Sequence, residues 1–293
     1  MKTKLISIAA LVLLAAACSS ESEVTNPDEL VPVKVHVNEF SVAMSGFDDN
    51  PARTRAVSDD VKGCVLAFYD VEGKEVYKQA QIFADAGTYT TFGEFSADLP
   101  VGNYTMVALG YVHCDGDAFT LTSPTEAAYT SERPRETFTK VQSLRVTNAE
   151  AVNLDVTLDR ISAKLEIIST DNRPAGIDEI RTTFAKGGKS FNPSTGLALT
   201  DGGFTQTNTP SAAVGSKINV GSMPLLYTDE ETMDVTIEVL DPSENVLFTK
   251  LVPNVPFKRN NITTVSGPIF TTGSSAFGFK LNTTWGPGYN VTF

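Results

Sequence analysis

Four valines set two residues apart, Val31, Val33, Val35 and Val37, alternate with Pro32, Lys34, His36 and Asn38. A period of two puts all four valines on one face of an extended strand, because successive side chains point to opposite sides. A helix would scatter the same residues around its circumference. The pattern returns at Val152, Leu154, Val156 and Leu158, at Ile161, Ala163, Leu165 and Ile167, and at Met233, Val235, Ile237 and Val239. Each such strand has an apolar face that needs cover, so the chain must build sheets that pack face to face. Hydrophobic residues make up 41% of it, enough for a packed core and too many for a disordered chain.

Turn signals divide these strands. Val65 to Tyr69 runs into Asp70-Val71-Glu72-Gly73, where glycine supplies the positive φ of a tight turn, and Lys74 to Phe83 returns as a hairpin. Further strands are expected over 92–97, 104–112 and 138–146, with Pro100, Gly102 and Asn103 turning a corner. A second hairpin is expected where Asp241-Pro242-Ser243-Glu244-Asn245 precedes Val246 to Val252. Residues 45–60 and 115–136 have loop compositions, and residues 177–185 are the one stretch read as helical. The alternation slips by one residue across Asp159-Arg160, as at a bulge or a crossing between domains, which places a boundary after Leu158. The expected architecture is all-β: one β-sandwich over 31–158 and a second over 159–293.

The first thirty residues carry an address. Lys2 and Lys4 precede an apolar run from Leu5 to Leu14 broken only by Ser7, followed by Ala15, Ala16 and Ala17 and then Cys18. A run this short, ending in small residues, reads as a removable signal peptide over 1–17. Cys18 at the cleavage point fits a lipobox, so its thiol is the expected lipidation site, and the Ser/Glu/Asp segment through residue 30 is a solvated tether. Net charge is -12, and removing the two leader lysines makes the remainder more acidic still. Such a chain repels phosphate backbones, which argues against nucleic acid as a partner.

Catalytic chemistry finds little support. There are two histidines, and His36 falls on the polar face of its strand. His113, Cys114, Asp115 and Asp117 form the densest group of ligand-type residues, read as an exposed turn in preference to a metal site. Gly187-Gly188-Lys189-Ser190 ends like a phosphate loop, but Thr183 stands where that motif needs glycine. No nucleophile elbow or zinc-protease helix occurs. We therefore expect no enzyme activity, no catalytic residue, no metal and no cofactor. Cys64 and Cys114 could form one bridge or remain two free thiols. Sugar binding is the alternative function, although the single tryptophan, Trp285, and seventeen phenylalanines, mostly at strand positions, offer few exposed rings for it.

With these residues in view, the mature chain resembles the fimbrillin superfamily, the subunits of Bacteroidales type V pili. The likeness rests on Cys18 in its lipobox, on the hairpin Val65 to Gly73, and on Leu99-Pro100-Val101-Gly102-Asn103-Tyr104. It rests also on Leu158 to Leu165, similar to the family's domain-crossing strand, and on Val255 to Thr263, similar to its late basic turn. The resemblance implies two tandem transthyretin-like β-sandwich domains and a surface-exposed lipoprotein of the outer membrane. It implies partners in other pilus subunits, held by strand exchange. It also implies proteolytic maturation behind the first strand, for which Arg53, Arg55 and Ala56 stand in the matching position.

Overall fold

A computed structural model describes residues 29–41, 62–85, 87–114, 116–131, 133–148, 150–272 and 277–282. These residues form strands and turns without a helix. The first half contributes β1 (Leu30–Ser41), β2 (Gly63–Tyr69), β3 (Glu75–Ile82), β4 (Glu94–Pro100), β5 (Gly102–Tyr111), β6 (Phe119–Ser123), β7 (Glu126–Tyr129), β8 (Thr137–Val146) and β9 (Val152–Arg160). The second contributes β10 (Lys164–Ser169), β11 (Glu179–Phe184), β12 (Ser190–Asn192), β13 (Leu197–Ala198), β14 (Phe204–Asn208), β15 (Asn219–Ser222), β16 (Glu230–Leu240), β17 (Val246–Lys258), β18 (Ile262–Gly267) and β19 (Gly278–Asn282).

In the first half the strand order is β3-β2-β5-β8-β9-β1-β4. Strands β8 and β9 pair only at Phe138–Arg160 and Thr139–Asp159, so the sheet folds there into two layers, β3-β2-β5-β8 and β9-β1-β4. Between the layers lies a core of Val31, Val33, Val35 and Val37 with Leu66, Phe68, Phe95, Leu99, Met106, Phe138, Val156 and Leu158. The alternation of β1 thus has its cause: its valines face the opposite layer, while Lys34 and His36 face out. The second half repeats the plan. Strand β10 runs parallel to β18 and antiparallel to β15, as β1 runs parallel to β9 and antiparallel to β4. Its other layer is β14-β11-β16-β17, and a second core fills the space between them. One strand is additional: β19 lies antiparallel on β18.

A third, small sheet, β13-β12-β7-β6, draws strands from both halves, with Phe191 and Ser190 of β12 paired to Ala127 and Ala128 of β7. It covers the outer face of β2 and β5, enclosing Val65, Ala67, Tyr69, Val107, Leu109 and Tyr111 with Leu121, Ala127, Tyr129, Phe191 and Leu225.

Two expectations are corrected. Residues 177–185 are not helical but hold β11, whose inward Ile180, Thr182 and Phe184 alternate with half-buried neighbours. The span 115–136 is not a plain loop: it contains the β6–β7 hairpin, stabilised by cover that comes from residues 190–198. The expected strands that become β1–β5, β8–β10 and β16 fall within a few residues of their positions, and β17 continues past Val252 to Lys258. Strands β12–β15 and β19 have no counterpart among the expected strands, and Gly73 takes φ +80° in the expected turn. The phase slip at Asp159-Arg160 is the end of β9: three buried residues, Ile161, Ser162 and Ala163, carry the chain to β10.

Candidate functional site

Strand β1 is the element around which the first half is organised. Main-chain bonding to β9 on one side and β4 on the other uses both of its edges. Its four valines are 0–5% exposed. Burying each is worth about 1.5 kcal/mol or more, so without β1 the half would present a long apolar groove.

The outward face of the same three strands carries a polar row. Register sets His36 beside Asp155 of β9 and beside Glu94 of β4, with Lys34 likewise between Asn153 and Ser96. His36 Nδ1 lies 3.2 Å from Glu94 Oε1. The β3–β4 connection closes one side. Gly93, at φ +88°, lets that connection approach β1, where its carbonyl accepts the Val37 amide at 2.9 Å. A Cβ there would sit 3.1 Å from the Val37 carbonyl oxygen. The buried Gln81 amide donates to Glu94 O at 2.6 Å, and its carbonyl accepts the Gly93 amide at 2.8 Å, tying β3 to β4. Tyr89 donates to Phe83 O at 2.8 Å and packs 5.7 Å from Phe92. The polar row and Tyr89 line an open concavity of about 560 Å³, bordered also by Gln79, Thr90 and Thr91.

The crossing between halves is a buried polar junction. Arg160, its side chain 1% exposed, pairs with Glu136 at 2.7 Å and lies over the Phe138 ring. It also donates to Asn260 Oδ1 at 3.1 Å, and the Asn260 amide donates to Ser162 O at 3.0 Å. The crossing strand and the late basic turn, far apart in sequence, therefore meet. Burial pulls the Lys164 ammonium below its ordinary range, partly opposed by Glu166 at 2.8 Å.

Cys18, Arg53, Arg55, Ala56 and Trp285 lie outside the described residues. Cys64 and Cys114 are both free thiols, and burial pushes Cys64 up to about 12. Asp117 is a structural anchor: it pairs with Arg135 at 2.9 Å and accepts the Ser131 amide at 2.9 Å. Among the described residues no three His, Cys, Asp or Glu side chains converge as metal ligands would, and no helix is long and apolar enough to cross a membrane. Gly187 has φ +79°, and β12 begins three residues later at Ser190, with no helix after it. The row Asp155–His36–Glu94 escaped sequence reasoning. The one available signal was that the polar positions of three alternating strands hold titratable residues.

These features define an all-β protein of packed sheets, a fold it shares with candidate adhesins. The chain belongs to a family of unknown function, DUF6562, whose model matches residues 32–287. No curated protein matches it. Two candidate adhesins from Bacteroides ovatus are similar in structure. One has 13% identity and a TM-score of 0.50, with 85% of this chain and 96% of the other covered. The second has 10% identity and a TM-score of 0.51, with 84% and 88% covered. A candidate polysaccharide-binding protein from Bacteroides thetaiotaomicron has 13% identity and a TM-score of 0.50, with 87% and 96% covered. At such identities the shared property is the fold.

Proposed function

We propose that this chain is a non-catalytic adhesive subunit of the cell surface, of the fimbrillin superfamily, assembled into a fimbrium by strand exchange. The proposed route is export under the 1–17 signal, acylation at Cys18 and anchorage in the outer membrane. The observation that carries the reading is β1: a single amphipathic strand near the chain start, bonded on both edges, whose removal would uncover the core. A strand from another subunit with the same alternation could take its place, regaining both ladders and the apolar contact. The fold shared with the Bacteroides adhesion candidates supports the surface role. Cutting behind β1 at Arg55, with Arg53 beside it and Ala56 following, is the proposed trigger.

Limited digestion with an arginine-specific protease tests this. Cleavage within 53–56 should come first and yield ladders that survive sodium dodecyl sulfate. Cleavage that leaves only monomers would remove strand exchange from the proposal, and resistance at both arginines would remove the trigger. For the anchor, Cys18→Ala should abolish incorporation of labelled fatty acid.

A further inference from the structure

We propose that the concavity on the outward face of β9-β1-β4 is a carbohydrate-binding site for neutral sugars. The inference deepens the adhesive part of the reading above by naming what is bound, and it makes no use of strand exchange. At about 560 Å³ the space has the size of a small-molecule site, typically about 300–1,000 Å³.

Its lining selects the ligand class. Val35 and Phe95 border the space but are 1% and 3% exposed, their side chains turned into the core, and the half-buried Leu154 packs against that core as well. The apolar surface left to a ligand is therefore interspersed with polar groups and suits an amphipathic molecule. Glu94 and Asp155 stand on either side of His36 with Lys34 as the lysine among them, which disfavours an anion. A peptide added as a strand would need a free edge, yet β1 is bonded on both sides and this face offers side chains alone.

Sugar hydroxyls meet these requirements, since each donates one hydrogen bond and accepts others. They can donate to Glu94 and Asp155, which as carboxylates only accept, and such charge-assisted bonds are the stronger kind. They can accept from Lys34 and Asn153, and do either with Ser96, Thr90 and Thr91. The half-buried Tyr89 ring, held by its hydroxyl and by Phe92, supplies a fixed apolar surface for the C–H face of a pyranose. Three strands and a pinned connection hold these groups, so little ordering is needed on binding.

The purified mature chain, labelled and applied to a printed array of microbial and mammalian glycans, should bind a subset of neutral glycans. The double variant Glu94→Gln/Asp155→Asn should lose at least tenfold in affinity for them, whereas Lys74→Ala, on the exposed hairpin turn, should not. A second readout needs no variant. The chain has two histidines, so the best glycan should shift the imidazole resonances of His36 and leave those of His113 in place. Silence across the array, binding unchanged in the double variant, or a resonance shift at His113 alone would each overturn the site. A chain that ladders after arginine cleavage yet is silent on the array would lose this site and keep the assembly reading; the reverse pair of results would do the opposite.

Discussion

Asp70 and Asp241 build the same five-residue turn twice. Oδ1 of Asp70 accepts the amides of Glu72 and Lys74 at 3.1 and 2.8 Å, and Oδ1 of Asp241 accepts those of Ser243 and Asn245 at 2.8 and 2.9 Å. The fourth residue is left-handed in both, Gly73 at φ +80° and Glu244 at φ +62°. A side chain costs about 1 kcal/mol in that conformation. Glu244→Gly should therefore raise stability by up to about 1 kcal/mol, and Gly73→Ala should lower it by a similar amount, read as shifts of the urea midpoint at constant slope. Asp117 gives a pH-dependent counterpart. Burial alone would raise its carboxyl, but hydrogen bonds from Ser131 and Arg135 outweigh that and hold it below the ordinary range. A depressed carboxylate contributes stability above its unfolded value of about 3.9 and loses it as pH falls through the folded value. Asp117→Asn should cost about 1–3 kcal/mol near neutrality, and the gap to the natural chain should narrow as pH falls from the unfolded value through the lowered folded one.

Among elements, β1 is legible in the sequence because its two faces differ in every residue from Val31 to Val37. The hairpin β2–β3 was equally plain, since an Asp-to-Gly turn ends the apolar run Val65 to Tyr69 and a strand of mixed polarity returns from it. Strand β11 was not, because Thr182, which is fully buried, interrupts the apolar face between Ile180 and Phe184. Strands β6 and β7 were hidden for another reason. They are short, joined through Pro124 and Thr125, and their support is distant: β12 pairs with β7 from residues 190–192, and Leu121 and Tyr129 are covered by the outer face of β2 and β5. Nothing local reports such cover. The sugar-site row was hidden likewise, since Asp155, His36 and Glu94 become neighbours only through strand register. For β1, Val33→Ala with Val35→Ala should destabilise by about 2–4 kcal/mol, from two side chains that are 0% and 1% exposed. Fluorescence-monitored denaturation would measure it, and a loss under about 1 kcal/mol would contradict the place of β1 in the core.

At the scale of the molecule the shared sheet β13-β12-β7-β6 ties the halves together. It adds main-chain pairs between β7 and β12, and the buried Gln206 amide donates to Pro134 O at 2.8 Å across the same junction. The natural chain should thus melt in one calorimetric transition. Phe191→Ala, removing a ring that is 0% exposed, should cost about 3–5 kcal/mol and split the transition in two. The crossing Arg160–Lys164 sharpens the point. Within it, Ile161 donates to Thr137 O at 3.0 Å, Ala163 to Pro224 O at 3.0 Å and Lys164 to Asn261 O at 2.9 Å, while Ser162 O accepts from Asn260. Most tandem repeats are strung on an exposed linker that works as a hinge; here that stretch is clamped on every side. In a fibre of the proposed kind, halves joined in this way would carry tension as one unit, leaving the joints between subunits as the places to flex.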